Sequence, residues 1–94
     1  MKKSFACSII CQNGIIGGSL CVEDKAITYK TNKFTVDRKY RNLVLPVRDI
    51  VELSWSNSLL PVATFRMRDG ERYEFLIFNK KRFDICYNEV KQDL

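Results

Sequence analysis

The stretch Ala63-Thr64-Phe65-Arg66-Met67-Arg68-Asp69-Gly70-Glu71-Arg72-Tyr73-Glu74-Phe75-Leu76-Ile77, followed at once by Asn79, decides how this chain folds. Phe65 and Met67 share one face of a strand, and Tyr73, Phe75 and Ile77 share one face of the next. A two-residue Asp69-Gly70 loop would pair Arg68 with Glu71 and put the two apolar sets on opposite faces. A three-residue loop, Arg68 to Gly70, pairs Met67 with Glu71 and Phe65 with Tyr73, and the apolar sets coincide. The second register is expected: a type I turn with a bulge, in which Gly70 takes the left-handed conformation. Phe65, Met67, Tyr73 and Phe75 should then be buried together with Phe83.

A helix follows directly. Asn79 is a good N-cap. Phe83, Cys86, Tyr87, Val90 and Leu94 form one apolar stripe at helical spacing. Its first turn holds Lys80, Lys81 and Arg82, a sign opposite to what the helix dipole favours, and these three are a candidate anion site.

Upstream the sequence is strand-like. Phe5, Cys7, Ile9 and Cys11 alternate with smaller or polar residues. Gln12-Asn13-Gly14 reads as a turn. Gly17-Gly18 opens a second strand in which a neighbouring backbone comes close or a bulge forms, and Leu20 and Val22 share a face. Glu23-Asp24-Lys25 turns the chain into Ala26–Lys30, with Ile27 and Tyr29 on one side. Residues 31–42 read as a long polar and basic excursion with a short strand around Phe34 to Val36. Leu43 to Val47 resumes strand character, with Pro46 at an edge or strand end. Arg48-Asp49 bends the chain into Ile50–Trp55, where Val51, Leu53 and Trp55 alternate with polar residues. The loop from Ser56 to Pro61 carries the exposed pair Leu59-Leu60.

The chain of 94 residues makes one domain, residues 1–94, with 46% hydrophobic and 29% charged residues, ordinary values for a globular protein. No apolar run reaches the roughly 20 residues of a membrane span. The opening Met1-Lys2-Lys3 and the short apolar run after it imitate a signal peptide without a cleavage site, so a first strand and a cytoplasmic location, peripheral to the membrane at most, are expected. Cys7, Cys11, Cys21 and Cys86 are then expected as free thiols. With no histidine and no zinc-type cysteine spacing, no metal or other cofactor is expected.

The net charge of +5 is local. Residues 1–24 balance, residues 25–48 carry seven bases against Asp37 alone, and residues 49–94 have one excess acid. Lys30, Lys33, Arg38, Lys39 and Arg41 therefore form a candidate binding patch for an acidic partner or an anionic membrane surface. Histidine, the commonest general base, is missing and no nucleophile has an evident base beside it, so no enzymatic activity is expected. Single-stranded nucleic acid is disfavoured because Phe65, Tyr73 and Phe75 fall on the core face and not on an outer basic one.

The order of these elements resembles a bacterial GRAM domain of the pleckstrin-homology superfamily. The resemblance rests on Gly17-Gly18-Ser19-Leu20-Cys21-Val22, Lys25-Ala26-Ile27-Thr28-Tyr29-Lys30, Leu45-Pro46-Val47-Arg48-Asp49-Ile50, Arg68-Asp69-Gly70-Glu71-Arg72-Tyr73-Glu74-Phe75 and Asn79-Lys80-Lys81-Arg82-Phe83. It implies a barrel of two near-orthogonal antiparallel sheets capped by the C-terminal helix, and a binding or scaffolding module. A protein-interaction adaptor, meeting its partner at a sheet edge or beside the helix, is the leading expectation; weak binding to anionic lipid is the alternative. Lipid-binding members carry bases around the first hairpin, whereas Gln12 to Ile16 here is uncharged.

Overall fold

In the computed structural model, residues 3–12, 14–33, 36–56 and 59–94 are described. Alternating apolar residues form β1 (Lys3–Cys11), β2 (Gly14–Glu23) and β3 (Ala26–Lys30). A helical turn α1 (Arg38–Arg41) leads into β4 (Asn42–Pro46), and one 3-10 turn, Val47–Asp49, connects it to β5 (Ile50–Trp55). The hairpin β6 (Val62–Met67) and β7 (Arg72–Ile77) precedes α2 (Lys80–Gln92). All pairings are antiparallel, in one seven-stranded sheet of order β4-β3-β2-β1-β7-β6-β5. β1 joins the two halves, pairing with β2 along its whole length and with β7 through Cys7 to Ile10. The sheet curls so that Leu45 of β4 and Phe65 of β6 reach the same core. The result is a half-barrel, mainly β, with one C-terminal helix in its concave side.

The hairpin adopts the three-residue register. Phe65 pairs with Tyr73, the Met67 amide donates to the Glu71 carbonyl at 2.8 Å, and the Gly70 amide donates to the Met67 carbonyl at 3.0 Å. Gly70 has φ +94°. Phe65, Met67, Phe75 and Phe83 are buried, with Phe65 and Phe75 rings 5.6 Å apart and Phe65 and Phe83 rings 6.1 Å apart. Tyr73 differs from expectation. It is only half-buried, because it stands at the rim, with its ring edge-on to Tyr40 at 6.5 Å.

In α2 the Asn79 side chain accepts a bond from the Arg82 amide at 3.4 Å. Phe83, Cys86 and Tyr87 are buried and Val90 packs against the core. Leu94 does not complete the stripe. The helix ends at Gln92, so Leu94 leaves the helical phase and is exposed.

Three further expectations change. β2 begins at Gly14, because Ile15 and Ile16 continue the ladder opposite Ile10 and Ile9. In β5 the register slips between Ile50 and Glu52, and this bulge turns Ile50 inward and Val51 out to solvent. The excursion is anchored: Val36 is 2% exposed in a bend and Arg38–Arg41 is helical. Phe34, and with it most of the expected short strand, lies outside the described residues, as does Asn13 of the first turn.

The adjacent glycines have separate roles. Gly18 faces inward; a Cβ there would stand 2.7 Å from the Tyr29 ring and collide with the Lys30 carbonyl. The space it leaves admits the fully buried Tyr29, whose hydroxyl donates to the Ile16 carbonyl at 2.8 Å. Gly17 faces outward, where a Cβ would meet only the Ser8 hydroxyl at 4.0 Å.

Candidate functional site

The basic residues predicted from sequence lie around the neck of the excursion. Lys30 ends β3, opposite Ser19 on one side and Asn42 on the other. The Thr31 amide donates to the Arg41 carbonyl at 3.3 Å, and the Thr31 hydroxyl donates to the Gly17 carbonyl at 2.8 Å and accepts from the Lys33 amide at 3.2 Å. This knot brings Lys30, Lys33 and Arg41 close in the backbone, while Arg38 and Lys39 ride on α1. Lys30, Lys33, Arg38 and Lys39 are exposed and Arg41 is half-buried. Lys39 Nζ lies 4.9 Å over the Tyr40 ring, and the hydrogen bond to Tyr40 is the first cause holding its pKa above the usual lysine value. The five bases do not converge on one cavity. The recess of ≈ 420 Å³ at this neck, lined by Gly18, Ser19, Lys30, Thr31 and Asn32, contains only Lys30 among them.

The second predicted set lies on another element, the first turn of α2. Lys80 Nζ stands 5.2 Å over the Trp55 ring and the Arg82 guanidinium 4.6 Å over the Phe5 ring. Both cations cover aromatic faces of the core, a cation–π role that offsets the unfavourable helix dipole. Lys81 is exposed.

Among the clefts not anticipated residue by residue, two lie beside the edge strands β4 and β5. One, of ≈ 410 Å³, opens at the seam between β4 and the β6–β7 turn and is lined by Val44, Leu45, Pro46, Met67, Arg68 and Tyr73 among others. Arg68 braces its wall: its amide donates to the Asp49 carbonyl at 2.8 Å, its Nη2 to the Arg48 carbonyl at 2.9 Å, and its Nε is 3.8 Å from the Asp49 carboxylate. The other, of ≈ 250 Å³, runs between β5 and α2 and is lined by Leu53, Trp55, Asp84, Tyr87, Asn88 and Lys91. Trp55 Nε1 donates to Asp84 Oδ1 at 2.9 Å and ties strand to helix. The Ser56 amide donates to the Val62 carbonyl at 2.9 Å, so Ser54 and Ser56 direct their backbone groups at β6. By alternation Leu53 and Trp55 turn theirs to the free edge beside this groove. Trp55 closing an amphipathic strand was the available signal in the sequence; the pairing with Asp84, 29 positions on, had none.

The four cysteines carry no bridge; Cys7 and Cys86 are buried, Cys11 and Cys21 half-buried. Burial pushes the Cys7 thiol up to about 12, and burial is also the first cause raising Cys86. Cys7 is therefore a packed apolar thiol at neutral pH.

No family model and no curated protein sequence matches the chain. A crystal structure of the C-terminal domain of an unknown protein from Leishmania infantum is similar, with a TM-score of 0.75 over 94% of this chain and 80% of that one, at 9% identity. The likeness is one of fold. No helix among the described residues is long and apolar enough to cross a membrane.

Proposed function

We propose that this chain is a non-catalytic binding module of pleckstrin-homology-like type, a protein-interaction adaptor that takes an extended peptide between β5 and α2. The strand order, with β1 shared by both halves and the terminal helix in the concavity, supports the pleckstrin-homology-like reading and its two near-orthogonal sheets. The observation that carries the functional reading is the free β5 edge beside the helix. Backbone donors and acceptors of Leu53 and Trp55 face outward along a groove whose floor combines Tyr87 with the Trp55–Asp84 clamp. A peptide added there gains main-chain bonds from the edge and specificity from the groove. Peptides selected from a random displayed library on the full chain should protect the Leu53 and Trp55 amides from hydrogen exchange. Leu53→Pro, which removes an outward amide and no bond to β6, should abolish binding. Selected peptides that leave both amides unprotected would reject the site.

A second reading, weak attachment to an anionic membrane surface, is favoured by the exposure of Lys30, Lys33, Arg38 and Lys39. Each base contributes about 1 kcal/mol near such a surface. Flotation with vesicles should rise with anionic lipid, fall with salt, and vanish when Lys33, Arg38, Lys39 and Arg41 are changed to Gln; no flotation at low salt removes this reading. Single-stranded nucleic acid gains nothing from the buried Phe65 and Phe75.

A further inference from the structure

The run of the helix divides the β5–α2 groove into two levels. Trp55 Nε1 donates to Asp84 Oδ1, and the Trp55 and Phe83 rings lie 6.2 Å apart. Two residues back along β5, Leu53 pairs with Phe65, whose ring lies 6.5 Å from that of Tyr87. The helix therefore runs antiparallel to β5. Lys80 and Asp84 stand at the level of Trp55, Tyr87 and Asn88 at the level of Leu53, and Lys91 one turn further on.

The two levels differ in what they leave unpaired. At the Trp55 level both charges have a partner within the chain. The Asp84 carboxylate takes the indole N–H at 2.9 Å, and Lys80 Nζ lies 5.2 Å over the indole ring. At the Leu53 level the polar side chains lining the groove are Asn88 and Lys91. Both are exposed, and among the described residues neither side chain takes part in an ion pair or a hydrogen bond. Glu52, the acid of β5, pairs with Arg66 at 3.3 Å on the other face of the strand. This end of the groove thus offers an ammonium and an amide, and no free carboxylate.

Strand addition fixes which side chain meets these groups. Leu53 and Trp55 turn their backbone groups to the free edge, so an added strand opposes one residue to each of them. Those two residues are two positions apart, and both point into the groove on the same side as Leu53 and Trp55. The one opposite Leu53 comes down on Tyr87, Asn88 and Lys91. Tyr87 gives its stem an apolar wall, and the donors at its tip need an acceptor. A carboxylate supplies both the acceptor and the opposite charge. An ammonium or guanidinium at this position would face Lys91 with nothing to pair it.

We propose that the groove selects acidic peptides, an aspartate or glutamate of the added strand being held opposite Leu53 by Lys91 and Asn88. This rests on the strand-addition reading above and names its specificity. The occupant is acidic because the unengaged charge of the groove is positive, and its one carboxylate already holds Trp55. The net charge of +5 adds long-range attraction for the same partner. Position counts beyond total charge: an acid opposite Trp55 would stand beside Asp84, whereas one opposite Leu53 meets only donors.

Displayed random peptides selected on the full chain should share an acidic residue at one position of their motif, while protecting the Leu53 and Trp55 amides from hydrogen exchange. In the tightest of them, replacing that carboxylate by its amide should weaken binding roughly threefold to tenfold. Lys91→Glu should weaken the parent peptide at least about tenfold. A lysine at the acidic position of the peptide should restore binding to that variant. Lys25→Glu, the same change of charge on the β2–β3 turn, should leave the parent peptide within about twofold at physiological salt. Both lysines are exposed, so neither change should disturb the fold. Peptides that protect both amides without a preferred acid, or that bind Lys91→Glu as well as the parent chain, overturn the inference and leave the strand-addition reading standing. Equal losses in Lys91→Glu and Lys25→Glu would reduce the effect to net charge and also overturn it. Peptides that leave both amides unprotected overturn the strand-addition reading, and this inference with it.

Discussion

The β6–β7 hairpin and the basic excursion between β3 and β4 are built by different rules. In the hairpin one turn sets everything. Gly70 takes φ +94°, the three-residue loop follows, and period-two alternation then places Phe65, Met67 and Phe75 inside. In the excursion no period applies, and single anchors decide: Val36 is buried, Tyr40 reaches Tyr73 across the seam, and Lys33, Arg38 and Lys39 are left outside. A regular element tells inside from outside by position. An irregular one does so only through whatever long-range partner each side chain finds.

The strongest way to break this comparison is at the hairpin. Phe75 is fully buried between Tyr29 and Phe65, with ring centroids at 5.5 and 5.6 Å. Phe75→Ala should cost about 3–5 kcal/mol in denaturant melts; a loss below about 1 kcal/mol would mean the core is not organised around this ring. Next is the Gly17-Gly18 pair. Gly18→Ala, driven into the Tyr29 ring and the Lys30 carbonyl, should destabilise by about 2–3 kcal/mol. Gly17→Ala should be nearly neutral. Equal effects would show that the strand faces are misassigned.

The excursion supplies the sharper contrast. If Val36 is its anchor, Val36→Ala should cost about 1.5–2 kcal/mol, while Lys33→Gln and Arg38→Gln stay within about 0.5 kcal/mol. An excursion that tolerates all three alike would be a solvated loop after all. A smaller destabilisation than at Val36 is expected at the turn. Gly70→Val should exceed about 1 kcal/mol only modestly, because the strain is local and nothing lies within 4 Å of the added Cβ. A neutral result would mean that Gly70 does not hold the left-handed conformation.

Much of the fold was legible because strand alternation and helical spacing are local. β3 and β5 have the boundaries read from sequence, and the stripe from Phe83 to Val90 faces the core. Two of the misses share one cause. The β5 bulge that exposes Val51 and the rim position of Tyr73 depend on neighbours far along the chain. The candidate sites divide the same way. The positive charge of residues 25–48 was plain, yet it did not reveal that those bases spread around a neck. The helix-start bases were plain too, but the faces of Trp55 and Phe5 beneath Lys80 and Arg82 were not.

By itself, then, the sequence determined the strands, the hairpin register, the terminal helix and the identity of most core residues. Burial of alternating apolar side chains and the positive φ of Gly70 leave those few choices. Only the tertiary structure decided that seven strands curl into one sheet with β1 at its centre. The same curl set the free β5 edge beside α2. These are properties of pairing between distant strands, and no local pattern carries the partner of Trp55 or of Ser8.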